Sequence, residues 1–305
     1  MAIASGSPRV LVVGAGAVGQ VFGWYLTRGG ATVTFFVKPA HPLATELPML
    51  EQVRRPTVLT GFKRLTTPEE VARQEWDQVW LAVPSNALSE RWLPPLLQAT
   101  GASTVVALAP EGEEHIHSAR RVVGSIPFIA WQDPLPGHTG PERLAFYVPP
   151  LASVVLSGSS PERVGAVQVT LRRGGMRALV VADAAKVGLP VTALLISSVA
   201  ALEGAGWRFA DFKGQWSALA GRAAREVMAR EGVSWVWKLA ARGPVLRLVF
   251  WLGSKVLPFD LETYVKYHFT KVGQQTRLFL REWLKRGRAG GGETSAVQAL
   301  LEGLK

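Results

Sequence analysis

Val10-Leu11-Val12-Val13-Gly14-Ala15-Gly16-Ala17-Val18-Gly19 is the stretch that decides the fold. Four consecutive aliphatic residues closed by glycine are the pattern of a strand covered on both faces, as in a parallel sheet. Good helix formers follow, with apolar side chains at Val18, Val21, Phe22, Tyr25 and Leu26, and Gly29-Gly30 supplies a stop. A G-x-G-x-x-G turn between a strand and a helix is the arrangement that receives a dinucleotide pyrophosphate. The first glycine permits the tight turn, the second lets backbone N–H groups approach the phosphates, and the third lets the helix pack closely on the strand. The helix N-terminus adds partial positive charge. Gly14, Gly16, Ala17, Val18 and Gly19 are therefore the candidate cofactor cradle. The plainer alternative is a glycine-rich turn without a ligand, and the position directly between strand and helix argues against it.

Outward from this turn, 31–37 reads as a second strand, rich in β-branched and aromatic residues, that returns beside the first through a right-handed crossover. Two more strand-then-loop junctions follow at 78–83 and 104–109, each leading into an expected helix, 87–99 and 111–122. Shorter strands at 128–131, 144–148, 153–156 and 178–181 are expected to extend the same sheet. From Asp183 onward the strand signals fade, and 184–204, 215–231, 233–257 and 261–286 read as helices. A glycine-rich break at 287–292 precedes a last helix that Thr294-Ser295 would cap. The expected architecture is α/β: a Rossmann-type, doubly wound parallel sheet over 1–182, followed by an all-helical substrate or dimerisation domain over 183–305. No internal repeat is found.

Composition agrees with two domains, since 305 residues with 48% hydrophobic side chains and 31 glycines exceed one small core. The absence of cysteine excludes a disulfide scaffold, thiolate metal sites and a cysteine nucleophile, and fits a reducing cytosol. No metal site is expected. The formal charge of +11 is uneven, with 16 Lys/Arg against 13 Asp/Glu in residues 1–180 and 18 against 10 in residues 181–305. A basic half attracts phosphorylated cofactors, carboxylate substrates, nucleic acid or anionic membranes alike, and charge alone does not choose among them. No nucleic-acid motif accompanies the charge, so no nucleic-acid partner is expected. The start of the chain lacks the positive and apolar regions of a signal peptide, and a cytoplasmic location is the expectation. The segment most like a membrane span, 233–259, is interrupted by Lys238, Arg242, Arg247, Lys255 and Pro244.

Other residues with chemical capacity sit after strands. An NAD-selective site usually carries Asp or Glu at the end of the second strand, whereas here Val37-Lys38-Pro39 stands there with no carboxylate before Glu46. Lys38 would neutralise a 2′-phosphate, which favours NADPH/NADP+, although a solvated loop lysine is the plainer reading. Val83-Pro84-Ser85-Asn86 and Ala109-Pro110-Glu111-Gly112 follow strands that should end at the ligand-binding edge, so Val83 and Pro84 are expected beside the cofactor. Glu111 is a candidate acid/base. It also opens a predicted helix, where an acid is an ordinary complement to the dipole.

The glycine turn, the basic residue after the second strand, Val79-Trp80-Leu81-Ala82-Val83 before a loop and the helical second half together resemble the ketopantoate reductase (2-dehydropantoate 2-reductase) family over nearly the whole chain. The resemblance implies NADPH-dependent reduction of a 2-oxo acid or related carbonyl to an alcohol. It implies that a lysine on the interdomain helix protonates the carbonyl oxygen, and that a C-terminal serine and glutamate hold the substrate. Lys186, ahead of Ala201-Leu202-Glu203-Gly204, takes the place of that lysine. Aligning on 201–204 instead brings Leu189 to the lysine position and Ser197 to that of a family asparagine. Thr276 lies near the expected serine, and Gly287-Arg288 followed by Glu293 matches the family's glycine-arginine and glutamate. The chain has Pro84 and Glu111 where the family has lysine and asparagine, and Pro190 and Leu194 where it has two asparagines after its lysine. The implied substrate therefore need not be ketopantoate.

Two further features remain. His268, Lys271 and Gln275 share a face at i, i+3 and i+7 of the predicted helix, as a replacement acid or carboxylate clamp, or as ordinary residues of an amphipathic helix. The basic, aromatic stretch 235–257 is either a pair of core and lid helices or an interfacial segment in peripheral contact with a membrane. The partners weighed are thus a small-molecule carbonyl substrate, a membrane surface and a second copy of the chain as a homodimer. The missing family residues keep open a non-catalytic NADP(H)-binding sensor or assembly protein on the same fold.

Overall fold

A computed structural model describes residues 6–88, 90–108 and 116–304. They divide into two compact units at Ala185/Lys186, with the short segment Leu135–His138 belonging to the second.

The first unit opens with β1 (Arg9–Val13), α1 (Ala17–Arg28) and β2 (Thr32–Phe36). Val10, Leu11 and Val12 are wholly buried, which is why the run is uniformly aliphatic. Next come β3 (Leu47–Glu51), β4 (Arg55–Leu59), β5 (Lys63–Leu65), α2 (Pro68–Ala72) and β6 (Gln78–Leu81). After α3 (Ser85–Leu88), α4 (Leu93–Ala99) and β7 (Thr104–Ala107), the chain forms β8 (Arg121–Gly124), β9 (Ile129–Asp133) and β10 (Arg143–Tyr147). It closes with β11 (Val154–Gly158), α5 (Pro161–Arg173) and β12 (Ala178–Val180).

Among the described residues these strands make two sheets. The larger runs β12-β11-β8-β7-β6-β1-β2-β5 and is parallel except where β11 meets β8. The chain leaves β1 toward β2 and returns on its other side at β6, so the strand order reverses between β1 and β6. In an open α/β sheet that reversal opens a crevice at the carboxyl ends of the two strands. The smaller sheet runs β4-β3-β10-β9. Helix α1 packs its aromatic face on both sheets. The Phe22 ring lies 4.9 Å from Trp80 and 5.0 Å from Phe128, and Trp24 lies 5.5 Å from Phe146.

Several sequence expectations change here. β9 and β10 belong to the smaller sheet and do not extend the larger one, because β10 pairs with β3, a strand the sequence conceals behind Pro48. The expected helix 111–122 is corrected at its end, where Arg121–Gly124 is a strand with Val122 buried between β7 and β11. Residues 109–115 lie outside the described residues. The expected helix 87–99 is two helices, with Pro94-Pro95 placed in the first turn of α4, where a missing N–H costs nothing.

The second unit is helical: α6 (Ala184–Gly204), α7 (Gln215–Arg230), α8 (Trp235–Ala240), α9 (Gly243–Val256), α10 (Leu261–Lys271), α11 (Gly273–Ala289) and α12 (Ser295–Gly303). The expected helix 233–257 breaks before Gly243-Pro244, and 261–286 breaks at Val272. The predicted break at 287 starts later, since α11 continues through Gly287, where a side chain would overlap Arg230. Thr294 makes no side-chain cap on α12. The Glu226 carboxylate of α7 instead accepts from the N–H groups of Ala296 at 2.9 Å and Val297 at 3.0 Å, a charged cap from a neighbouring helix. Among the described residues α6, not 233–259, is the helix long and apolar enough by length and composition to cross a membrane, and half of its apolar window is buried in the protein.

Candidate functional site

The three glycines of the turn face different surroundings. Gly14 has φ +96°, donates its N–H to the Phe36 carbonyl at 2.9 Å, and a side chain there would stand 2.8 Å from the Ala82 carbonyl oxygen and 2.9 Å from Val83 Cγ1. At Gly19 a side chain would overlap the carbonyl of Gly14. At Gly16, by contrast, nothing lies within 4 Å of where a Cβ would be. Gly16 is the N-cap of α1 in extended backbone, no side chain caps the helix, and its first turn holds no acid. Gln20 braces the turn, donating its N–H to the Gly16 carbonyl at 2.9 Å and its Nε2 to the Ala15 carbonyl at 2.8 Å. The result is a braced loop whose open side is a helix N-terminus at the sheet's crevice, the electrostatics a pyrophosphate needs. Ala17 and Val18 form the first helical turn there, and Val83-Pro84 adjoins it through the contact at Gly14.

Lys38 is exposed two residues beyond β2. Its loop is fixed by Arg64 of β5, whose Nη2 donates to the carbonyl oxygens of Pro39 at 2.6 Å and His41 at 3.2 Å. Sequence reasoning passed over Arg64, and no local signal marks an exposed arginine on a three-residue edge strand. Glu111 lies outside the described residues.

In the helical unit, the hydroxyls of Ser197, Ser198 and Thr276 are buried without a hydrogen-bond partner among the described residues. Helical hydroxyls normally turn back to the carbonyl four residues earlier, as Thr192 does to Gly188 at 3.1 Å on the same α6. The helices carrying these groups are joined by the ion pair of Glu203 on α6 with Arg277 on α11 at 3.0 Å. Lys186 sits exposed in the first turns of α6. It shares a helical stripe with Ser197, but eleven residues of helix separate the two by roughly 16 Å.

The face drawn through His268, Lys271 and Gln275 is interrupted, because α10 ends at Lys271 and α11 restarts at Gly273. His268 stacks on Tyr264 at 5.4 Å and meets Phe269 edge-on at 4.9 Å. Burial, and then the charge of Lys271, push its pKa down to about 4. At neutral pH the imidazole is uncharged and offers an N–H donor rather than a cation. Lys271 is exposed. Glu293 is exposed between α11 and α12, where its carboxylate accepts from the Ser295 hydroxyl at 3.2 Å and its carbonyl from Arg230 at 3.0 Å.

A glycine turn on a parallel-rich sheet, followed in the chain by a helical unit, is the architecture the comparisons meet. Residues 10–131 match the family model "Ketopantoate reductase PanE/ApbA". Among curated protein sequences no relative matches at a significant level. The 2-dehydropantoate 2-reductase of Geobacter metallireducens GS-15 shares the fold with a TM-score of 0.70 at 17% identity, over 97% of this chain and 98% of that one. A D-mandelate dehydrogenase with bound NADH and anilino(oxo)acetate does so with a TM-score of 0.70 at 14% identity, over 97% and 96%. The dimeric ketopantoate reductase of Staphylococcus aureus matches with a TM-score of 0.66 at 12% identity, over 96% of each chain. Residues 10–131 thus match the ketopantoate reductase family model, and nearly the whole chain shares the fold of these solved structures.

Two outcomes follow from this geometry. Gly16→Val should leave the thermal midpoint nearly unchanged, because its side chain enters open space, yet abolish dinucleotide binding in a fluorescence titration. Gly19→Val should lower the midpoint by several degrees, because it forces α1 off the turn. Undiminished affinity in folded Gly16→Val would remove the turn from the site. For His268, the unfolded chain takes up a proton below pH ~6.5 that the folded chain refuses until about pH 4. Protons bound are then greater in the unfolded state, so stability falls as pH falls through that window. Urea unfolding at pH 7 and 4.5 should show the parent losing on the order of 2 kcal/mol more than His268→Phe. Equal losses would mean a solvated imidazole.

Proposed function

We propose that the chain is an NADPH-dependent reductase of the ketopantoate reductase type that converts a 2-oxo acid or related carbonyl to an alcohol. The observation that carries this reading is the open space at Gly16, at the N-terminus of α1 and at the sheet's crevice. The Gly14–Gly19 backbone would take the pyrophosphate. Lys38 would meet the 2′-phosphate, its loop held by Arg64, with no carboxylate present to favour two free ribose hydroxyls. Val83-Pro84 would lie along the cofactor. Bound NADPH supplies the hydride. Lys186 would deliver the proton to the substrate oxygen as its charge develops, and the buried hydroxyls of Ser197 and Thr276, with Gln275 and Glu293, are the remaining candidates for substrate contacts. The separation along α6 means that Lys186 and Ser197 serve different parts of the site. The fold neighbours named for 2-oxo and 2-hydroxy acids support the substrate class, and a neighbour holding NADH leaves the case for NADPH to Lys38 and Arg64. Domains at 1–182 and 183–305, a cytoplasmic location and a homodimer belong to the same proposal.

Cofactor titration should show NADPH binding more tightly than NADH, and Lys38→Asp should cut the NADPH affinity ten- to a hundredfold, the worth of one charge-assisted hydrogen bond. Equal affinities in the parent would remove Lys38 from the site. With a panel of 2-oxo acids and NADPH oxidation as readout, Lys186→Met should lower kcat by about two to four orders of magnitude with little change in NADPH affinity. An unchanged kcat would pass the donor role to the 268–275 segment or Glu111. Tight NADPH binding with no turnover across the panel would establish the non-catalytic reading.

A further inference from the structure

Helices α8 and α9 present the largest concentration of exposed apolar side chains in the second unit. None of the six residues of α8 is buried, and Trp235 is 72% exposed. On α9 only Gly243 and Leu246 are buried, whereas Leu248, Val249, Trp251, Leu252 and Val256 are all at least half exposed. Helical spacing sorts the exposed residues into two neighbouring stripes. Leu248, Val249, Leu252 and Val256 form an apolar one, and Arg247, Trp251 and Lys255, at i, i+4 and i+8, run beside it. No Asp or Glu occurs between Gly232 and Phe259, while Lys238, Arg242, Arg247 and Lys255 do. Beside α8 lies an open groove of about 470 Å³ lined by Arg225, Trp235, Lys238, Leu239 and Arg242. Arg225 is held at its floor, donating from Nη1 to the Ala241 carbonyl at 2.8 Å.

We propose that α8, α9 and this groove dock on an anionic lipid bilayer. The apolar stripe would enter the region between headgroups and acyl chains, Trp235 and Trp251 would sit at the boundary, and the groove's three cations would receive a headgroup phosphate. An apolar helix face with a basic flank and tryptophan at the border is what such an interface favours. Charge selects the occupant. A second copy would bring the same unneutralised cations against themselves in a two-fold contact, whereas anionic lipid neutralises them. The proposal stands independently of the reductase reading, since neither the glycine turn nor Lys186 takes part.

Flotation of the full chain with vesicles tests it. Vesicles of phosphatidylcholine with phosphatidylglycerol should carry about tenfold more protein than phosphatidylcholine alone. The double variant Trp251→Glu, Leu252→Glu should lose that binding by about tenfold or more, and so should Lys238→Gln with Lys255→Gln. All these side chains are at least partly exposed, so circular dichroism should match the parent. Flotation with neither vesicle, or equally with both, would overturn the proposal. So would binding of inorganic phosphate by the chain at matched ionic strength without flotation, which would mark a site for the free anion. A dimer in analytical ultracentrifugation that Trp251→Glu, Leu252→Glu dissolves, with no flotation of the parent, would assign the face to a second copy and overturn it as well.

Discussion

The approach of Gly19 to the carbonyl of Gly14 is the constraint on which the first unit rests. Because no Cβ intervenes, α1 starts close against the end of β1. That fixes the helix axis, which brings Phe22 against Trp80 and Phe128 and Trp24 against Phe146. The same closeness seats Gly14 against Ala82 and Val83, so the end of β6 joins the turn, and the crevice between β1 and β6 opens beside a helix N-terminus with no cap of its own. A fold that saturated this helix end with a Ser or Asp side chain would gain roughly 1 kcal/mol of capping. The chain places glycine there, no side chain caps the helix, and the space where a Cβ of Gly16 would stand is open. Packing and ligand capacity come from one six-residue pattern.

What was legible in the sequence follows from how local its causes are. The bounds of α1 and α6 match the sequence reading residue for residue, because helix formers, glycine stops and the fading of strand signals lie within a few positions. The glycine turn was legible for the same reason. The smaller sheet was not, since β3 pairs with β10, nearly a hundred residues away, and Pro48 and Pro56 disguise β3 and β4. β8 was hidden because the sequence reading ran a helix over 111–122 into its first residues. Lys38 was singled out by residue type and position alone, whereas Arg64 acts through backbone carbonyls that only the folded loop brings to it. His268 looked like a proton donor by type. Its depressed basicity depends on Tyr264 and Phe269 covering the ring, and the break at Val272 depends on backbone geometry that side-chain periodicity does not record.

The residues that came from family likeness rather than from pattern meet a separate physical criterion. A buried hydroxyl without a partner costs about 1–3 kcal/mol, and a helix offers an easy remedy in the carbonyl one turn back. Thr192 takes that remedy on α6 and Thr170 takes it on α5, with Ala166 as acceptor at 3.0 Å. Ser197 and Ser198 on α6 and Thr276 on α11 do not. The ion pair of Glu203 with Arg277 links these two helices, whose hydroxyls have no hydrogen-bond partner among the described residues. Lys186 is subject to the opposite condition: it is exposed and at the far end of the same stripe. Pro190 removes the N–H that would otherwise bond the Lys186 carbonyl and so loosens the helix around it. One helix therefore carries a dry polar end and a wet cationic end about three turns apart.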